Sequence, residues 1–232
     1  YPDEVGGAWK YTHEVNKRLA ERGHRVFLVT CKPVDSLPDY EVIDGVHFYR
    51  IGVGESKNAL GLWRALRRIM NSILDENNIS FIHIHNPLVE FLALLNPRVW
   101  RIPKIYHFHS LWFEEEKINR CGNGKEFQSL GCLIKLNALL NVIRLIEWAC
   151  FFSARSVLFL SEYSKAKFKA FFPFQKDRLR VIRGGVDVDV FHPPVEDQAL
   201  IRQRLGLPAG RPILLTVRRL AARMGLENLV LA

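Results

Sequence analysis

This chain of 232 residues is short of several things that would place it in a class at once. It has four cysteines, at positions 31, 121, 132 and 150, with no CxxC pair and no metal-ligand spacing. That excludes a zinc ribbon or a disulfide-built scaffold and fits reduced, cytosolic thiols. No run of 18 apolar residues is free of interruption. The closest, Cys132 to Phe152, is broken by Lys135, Asn137, Asn141, Arg144 and Glu147, and reads as a long buried helix rather than a membrane span. No signal peptide is expected at its start. There is no internal repeat and no low-complexity tract. Helix-turn-helix, zinc-finger and RNP patterns are all missing, which removes the usual readers of nucleic acid.

What is present is ordinary in bulk and uneven in detail. Hydrophobic residues make up 48% and charged residues 25%, the balance of a globular protein rather than a disordered one. The net charge of +9 is regional. Tyr163 to Leu226 holds 13 Lys and Arg against 5 Asp and Glu, an excess of 8, so the rest of the chain supplies only 1. A basic region of this kind suits phosphate groups or an anionic surface, or is simply a solvated face.

Periodicity gives the architecture. Ala8, Thr12, Val15 and Leu19 share one helical face, and Gly23 suits a left-handed stop. Val26 to Thr30 is a continuous apolar run, as in a strand covered on both sides. Strand patterns recur at 47–51, 81–85, 104–109, 156–160 and 179–182. Between them lie helical patterns at 60–74, 90–95 and 133–152, and one from Ser161 to before Pro173. A polar loop with Gly122, Gly124 and Gly131 is expected after the strand that ends at His109. Strands alternating with helices imply parallel β-α units, hence an α/β fold with a Rossmann-like doubly wound sheet. The helix-first start suggests a first strand preceding Tyr1. Residues 1–193 read as one such domain. Residues 194–232 read as a linker, a short helix at 198–205, and the opening strand, from Pro212, and helix of a second α/β domain.

Three features carry chemistry. Gly6 and Gly7 precede a helix, where backbone N–H groups and the helix terminus favour an anion, although an unliganded tight turn has the same look. His83 and His85 end one strand pattern, and His107 and His109 end the next. Alternation puts each pair on one side of its strand, with His109 nearest the carboxyl edge, where ligands bind in doubly wound sheets. A metal cluster is weighed and set aside, because no carboxylate stands at matching spacing. Finally, "TVRRLAARMGLENL" joins a strand pattern to a helix through Arg218, Arg219 and Arg223, a diphosphate site in kind.

The stretches "GGAWKYTHEVNKRLAERGHRV", "RVIRGGVDVDVFHPP" and "ILLTVRRLAARMGLENLVLA", in that order, resemble the retaining glycosyltransferases of family 4, which have the GT-B fold. The resemblance implies two Rossmann-like domains facing across a cleft, the first holding the acceptor and the second a nucleotide-sugar donor. It implies donor-phosphate contacts at Gly6, Gly7 and Arg219, and a histidine near the transferred sugar at His109. It implies no cofactor and no metal, since cationic side chains and a helix terminus stabilise the leaving diphosphate. Three positions depart from the family pattern. Arg218 and Gly184 replace its glycine and asparagine. Met224 replaces its lysine, for which Arg223 is the neighbouring cation. The expected partners are a nucleotide sugar and a glycan or lipid-linked acceptor, without nucleic acid. The expected setting is cytoplasmic, with peripheral contact to an anionic membrane through Lys165, Lys167 and Lys169 beside Phe168, Phe171 and Phe172. The competing readings are an epimerase or phosphorylase on the same fold, and a basic nucleic-acid-binding module.

Overall fold

A computed structural model describes residues 6–121, 130–173, 176–217 and 225–231. Helix α1 (Gly7–Glu21) opens it and ends at Gly23, which takes φ 84° as a left-handed stop. Strand β1 (Val26–Cys31) follows, then β2 (Tyr40–Ile43), β3 (Val46–Ile51), the short α2 (Val53–Ser56) and α3 (Ala59–Glu76). Strand β4 (Ile82–Ile84), α4 (Pro87–Leu94), β5 (Lys104–Phe108), α5 (Trp112–Cys121) and α6 (Leu130–Ser153) come next. Strand β6 (Ser156–Phe159), α7 (Glu162–Phe171), β7 (Leu179–Val181), α8 (Gln198–Arg204) and α9 (Leu226–Leu231) complete the order.

The strands make two sheets, not the single sheet that the alternation suggests. One has the order β1-β3-β2, the other β4-β5-β6-β7. The second is parallel throughout, and β1 pairs β3 in parallel, so the β-α reading of the chain is right in kind. The departure is β2, which pairs β3 antiparallel across Asp44 and Gly45. Both turn residues are left-handed, with φ 50° and 76°, as a two-residue hairpin requires.

Helices cover the second sheet on both faces. Along β5, Tyr106 and Phe108 point to one side and join Phe151 of α6, Phe159 of β6 and Phe168 and Phe172 of α7 in the main core. His107 points to the other side, where its ring meets Tyr11 of α1 at 4.7 Å. A smaller core joins Ile51 to Leu62, Ala65 and Leu66 of α3 and Leu92 of α4.

Three expectations need correction. Helix α6 is buried along one face only. Leu136, Leu140, Ile143, Glu147, Cys150 and Phe151 turn inward, while Ile134, Leu145 and Phe152 are exposed. Gly131–Ser153 is long and apolar enough to cross a membrane, yet a fully buried Glu147 marks its inner face as part of this core. The segment after His109, expected as a polar loop, forms α5 over Trp112–Cys121. The strand expected from Pro212 is not formed over 212–217, where Leu214 and Val217 are almost fully exposed. A strand-like sequence makes no ladder without neighbouring strands to pair with.

Candidate functional site

The site is built where β4 and β5 end. Parallel pairing sets His83 beside Ile105 and Ile84 beside Tyr106. Since side chains alternate along a strand, His83, His85, His107 and His109 all rise from one face, two on each strand. That face lies under α1. The four rings form a continuous stack, with centroids 4.3 Å apart for His83–His85, 5.4 Å for His85–His107 and 4.8 Å for His107–His109.

Proton counting fixes the arrangement at the carboxyl edge. Thr12, buried on α1, spends its hydroxyl proton on the carbonyl of Ala8 at 2.8 Å. Toward His85 Nδ1, at 3.3 Å, its oxygen can therefore only accept, and His85 carries its proton on Nδ1. His85 Nδ1 also faces His109 Nε2 at 3.1 Å. That second bond needs one donor and one acceptor, so His109 accepts on Nε2 and holds its own proton on Nδ1. All four imidazoles are kept neutral. Burial, followed by the charges of neighbouring histidines, lowers His83 to about 4, His85 to about 2 and His107 to about 3. Burial lowers His109 too, with Glu115 opposing. At neutral pH, His109 thus offers a neutral ring with its Nδ1–H at the strand end, not a cation.

Gly6 and Gly7 open α1. Gly6 is its N-cap, with extended backbone and no side-chain cap, and the first turn has no acidic residue. Among the described residues no side chain accepts from the amides there. A Cβ at Gly7 would meet nothing within 4 Å, so the glycine is not required by its described neighbours. Gly7 precedes Thr12 by five residues, about 7.5 Å of helix rise, which links this terminus to the histidine cluster. A Cβ placed at Gly184, in the segment after β7, would meet the ring of Tyr11 at 3.7 Å, and Arg18 reaches Asp187 at 3.3 Å, so that segment lies against α1. Arg219 and Arg223 lie outside the described residues, as do Arg218 and Met224.

Sequence reasoning missed two parts. Thr12 figured only as one position on a helical face, although it sets the protonation of His85. Glu147 figured only as an interruption of an apolar helix. It is fully buried, and its Oε1 accepts the backbone N–H of Trp112 at 2.6 Å, three residues beyond His109. The membrane-facing side expected of α7 is also different. Phe168 and Phe172 fill the core, Phe171 packs against Phe113 with Arg144 over its ring, and Lys167 pairs with Glu114. Phe168 and Phe172 are needed to close the β6–α7 core, which leaves only Tyr163 and part of Phe171 as exposed aromatic surface on α7.

Comparison with known proteins agrees with this geometry. The chain is 24% identical over 236 residues to an uncharacterized glycosyltransferase of Methanocaldococcus jannaschii, covering 100% of this chain and 56% of that protein. It is 25% identical over 248 residues to a D-inositol 3-phosphate glycosyltransferase of Xylanimonas cellulosilytica, covering 99% of this chain and 55% of that one. The fold matches sucrose-phosphate synthase from Thermosynechococcus elongatus with TM-score 0.73 at 21% identity, over 98% of this chain and 54% of that structure. The chain thus spans about half the length of the curated relatives it matches. The profile of glycosyltransferase family 4 matches residues 5–190, most of the chain, and the protein belongs to that family.

Proposed function

We propose that the whole protein transfers a sugar from a nucleoside-diphosphate donor to a hydroxyl acceptor with retention at the anomeric carbon. The described residues then form the acceptor-side domain. In the transfer, the bond from the anomeric carbon to the diphosphate oxygen breaks and a bond to the acceptor oxygen forms. The diphosphate oxygen takes the electrons of the broken bond and accepts the proton that the acceptor hydroxyl loses.

The observation that carries the reading is the placement of a neutral His109 at the carboxyl end of β5, inside a family match covering residues 5–190. His109 stands at the reacting sugar. Gly6 and Gly7 present the uncapped amides of α1 to the donor phosphates, and Arg219 and Arg223 supply the cations that stabilise the departing diphosphate. Transfer on this scheme requires no metal. The acceptor is a glycan or a lipid-linked hydroxyl compound. The names of two similar proteins, one for inositol 3-phosphate and one for sucrose phosphate, add phosphorylated polyols and sugars to the acceptors worth testing.

A cytoplasmic setting is supported by Cys31 and Cys150, which are free thiols. Contact with an anionic membrane is electrostatic on this reading, because the phenylalanines of α7 are occupied. Their burial also speaks against a stacking platform for nucleic acid. The test is a screen of the whole protein against UDP-, GDP- and ADP-sugars with candidate acceptors, measuring released nucleoside diphosphate and the anomeric configuration of the product. Acceptor-dependent release with a retained anomer is expected. An inverted product, or phosphorolysis without transfer, would defeat the proposal.

A further inference from the structure

Beneath α1 the chain holds a group of atoms that the transfer does not use. One nitrogen from each of His83, His85 and His107 lies within 4.8 Å of the other two. Among the described residues, His83 Nε2 and both ring nitrogens of His107 are buried without a hydrogen-bond partner. His107 itself is fully buried. An unmet buried polar atom costs about 1–3 kcal/mol, so several in one place call for an occupant.

We infer that His83, His85 and His107 bind one transition-metal dication, and that Zn2+ is the ion whose preferences the set fits best. The inference concerns binding by the described residues, and it stands whether or not the whole protein transfers a sugar. The donor set is three nitrogens and no carboxylate, which suits zinc, cobalt, nickel or copper and not magnesium or calcium. The ligands present the required form. Thr12 and His109 hold the proton of His85 on Nδ1, so Nε2 carries the free lone pair. A metal-bound histidine characteristically donates its other N–H to a second group, and here that group is the Thr12 hydroxyl together with His109 Nε2.

The geometry needs only a small closure. With Zn–N bonds of about 2.0–2.1 Å, nitrogens around a tetrahedral ion stand about 3.3 Å apart. The present separations, within 4.8 Å, reach that value by ring rotations of about 1.5 Å. His83 and His85 are only partly buried, which leaves a way in. Three protein ligands leave a fourth position for water. Once bound, the ion draws on His85 Nε2 and strengthens Nδ1–H as a donor, so it also holds His109 as an Nε2 acceptor.

The test is a titration of the tag-free whole protein, stripped of metal, with Co2+ at neutral pH, followed by displacement with Zn2+. One equivalent is expected to give a saturable visible band, which Zn2+ abolishes. His83→Gln and His107→Gln should each weaken binding by at least about tenfold, with the double variant binding none, and His13→Gln, whose ring pairs with Asp44 and not with the cluster, should bind as wild type. X-ray absorption of the wild-type zinc form should count three imidazoles at about 2.0 Å, a reading that does not depend on any variant folding. No saturable band, a band that survives in the double variant, or fewer than three imidazoles around the ion would overturn the inference.

Discussion

Glu147 Oε1 accepts the backbone N–H of Trp112 at 2.6 Å, so a side chain in the middle of α6 caps the first residue of α5, 35 positions away in sequence. This contact fixes the turn that follows His109. Burial, opposed by the amides of Trp112 and Phe113, raises the Glu147 carboxyl from the ordinary 4.5 to about 7, and its Oε2 has no hydrogen-bond partner. A carboxyl raised in the folded state stabilises fully below its unfolded pKa and loses that contribution as pH rises through its folded one. Glu147→Gln keeps an acceptor for Trp112 and stays neutral at every pH. Its melting temperature relative to wild type is therefore expected to climb between pH 4.5 and 7 and then level off. The climb corresponds to a free-energy change of about 3 kcal/mol, at 1.36 kcal/mol per pKa unit. Glu147→Ala, which leaves the amide unmet, should destabilise at all pH values. Thermal denaturation of both variants across pH 4–8 measures this, and a difference that stays flat or falls would refute the raised carboxyl.

The same contact explains why α5 was not legible. A helix usually announces itself by a local cap, and the cap of α5 comes from α6. The parallel strands were legible because burial on both faces writes them as short apolar runs, as in Val26 to Thr30. The β2–β3 hairpin carried a plain signal, Asp44-Gly45 between two alternating segments, but Tyr40 and Val42 lie exposed and the first segment looked like loop. The histidine face was half legible. The spacing of two within each strand is in the sequence, but the pairing of β4 with β5 that brings the four together is a long-range event, and Thr12 joins it only through the packing of α1. The strand read into 213–217 shows the reverse case, a local pattern without the partners that would realise it.

On the proposed function His109 acts at the reacting sugar, and its Nε2 is held as an acceptor by His85. His109→Ala in the whole protein should lower kcat by at least about a hundredfold, the usual cost of removing one group aimed at the reacting centre, with donor affinity kept within a few-fold. Thr12→Val removes the oxygen that holds the His85 proton on Nδ1. It should cost kcat several-fold while the KM for donor stays unchanged. Equal kcat in His109→Ala and wild type would contradict this assignment.

Arg219 and Arg223 are assigned to the donor diphosphate. Losing one preorganised charge-stabilising donor typically costs about a hundredfold or more in rate, so Arg219→Ala should reduce turnover by at least about that factor. Arg223→Ala should cost less, since on the proposed function it only stands in, one position earlier, for the family lysine that Met224 replaces. Arg219→Lys should recover only part of the loss, because an ammonium cannot grip two phosphate oxygens side by side. Normal turnover in both alanine variants would remove the anion site from the proposal.

Contact with an anionic membrane through α7 must rest on charge alone. Phe168 and Phe172 are core residues, Lys167 already pairs with Glu114, and Lys165 stands 3.7 Å from Glu162. Each lysine near an anionic surface contributes roughly 1 kcal/mol, and the attraction decays within a Debye length of about 8 Å at physiological ionic strength. Such binding is shallow and reversible by salt. Co-sedimentation of the whole protein with vesicles containing anionic lipid should therefore fall steeply between 50 and 500 mM salt. The triple change Lys165→Glu, Lys167→Glu and Lys169→Glu should abolish it. Because Lys167→Glu sets two carboxylates against each other at Glu114, a control carrying only Lys165→Glu and Lys169→Glu separates lost attraction from a loosened α5–α7 contact. That control should also bind far less than wild type while keeping its melting temperature. Binding that is equal on neutral vesicles, or that survives high salt, would require inserted apolar side chains; with Phe168 and Phe172 in the core, that result would overturn an electrostatic contact through the α7 lysines.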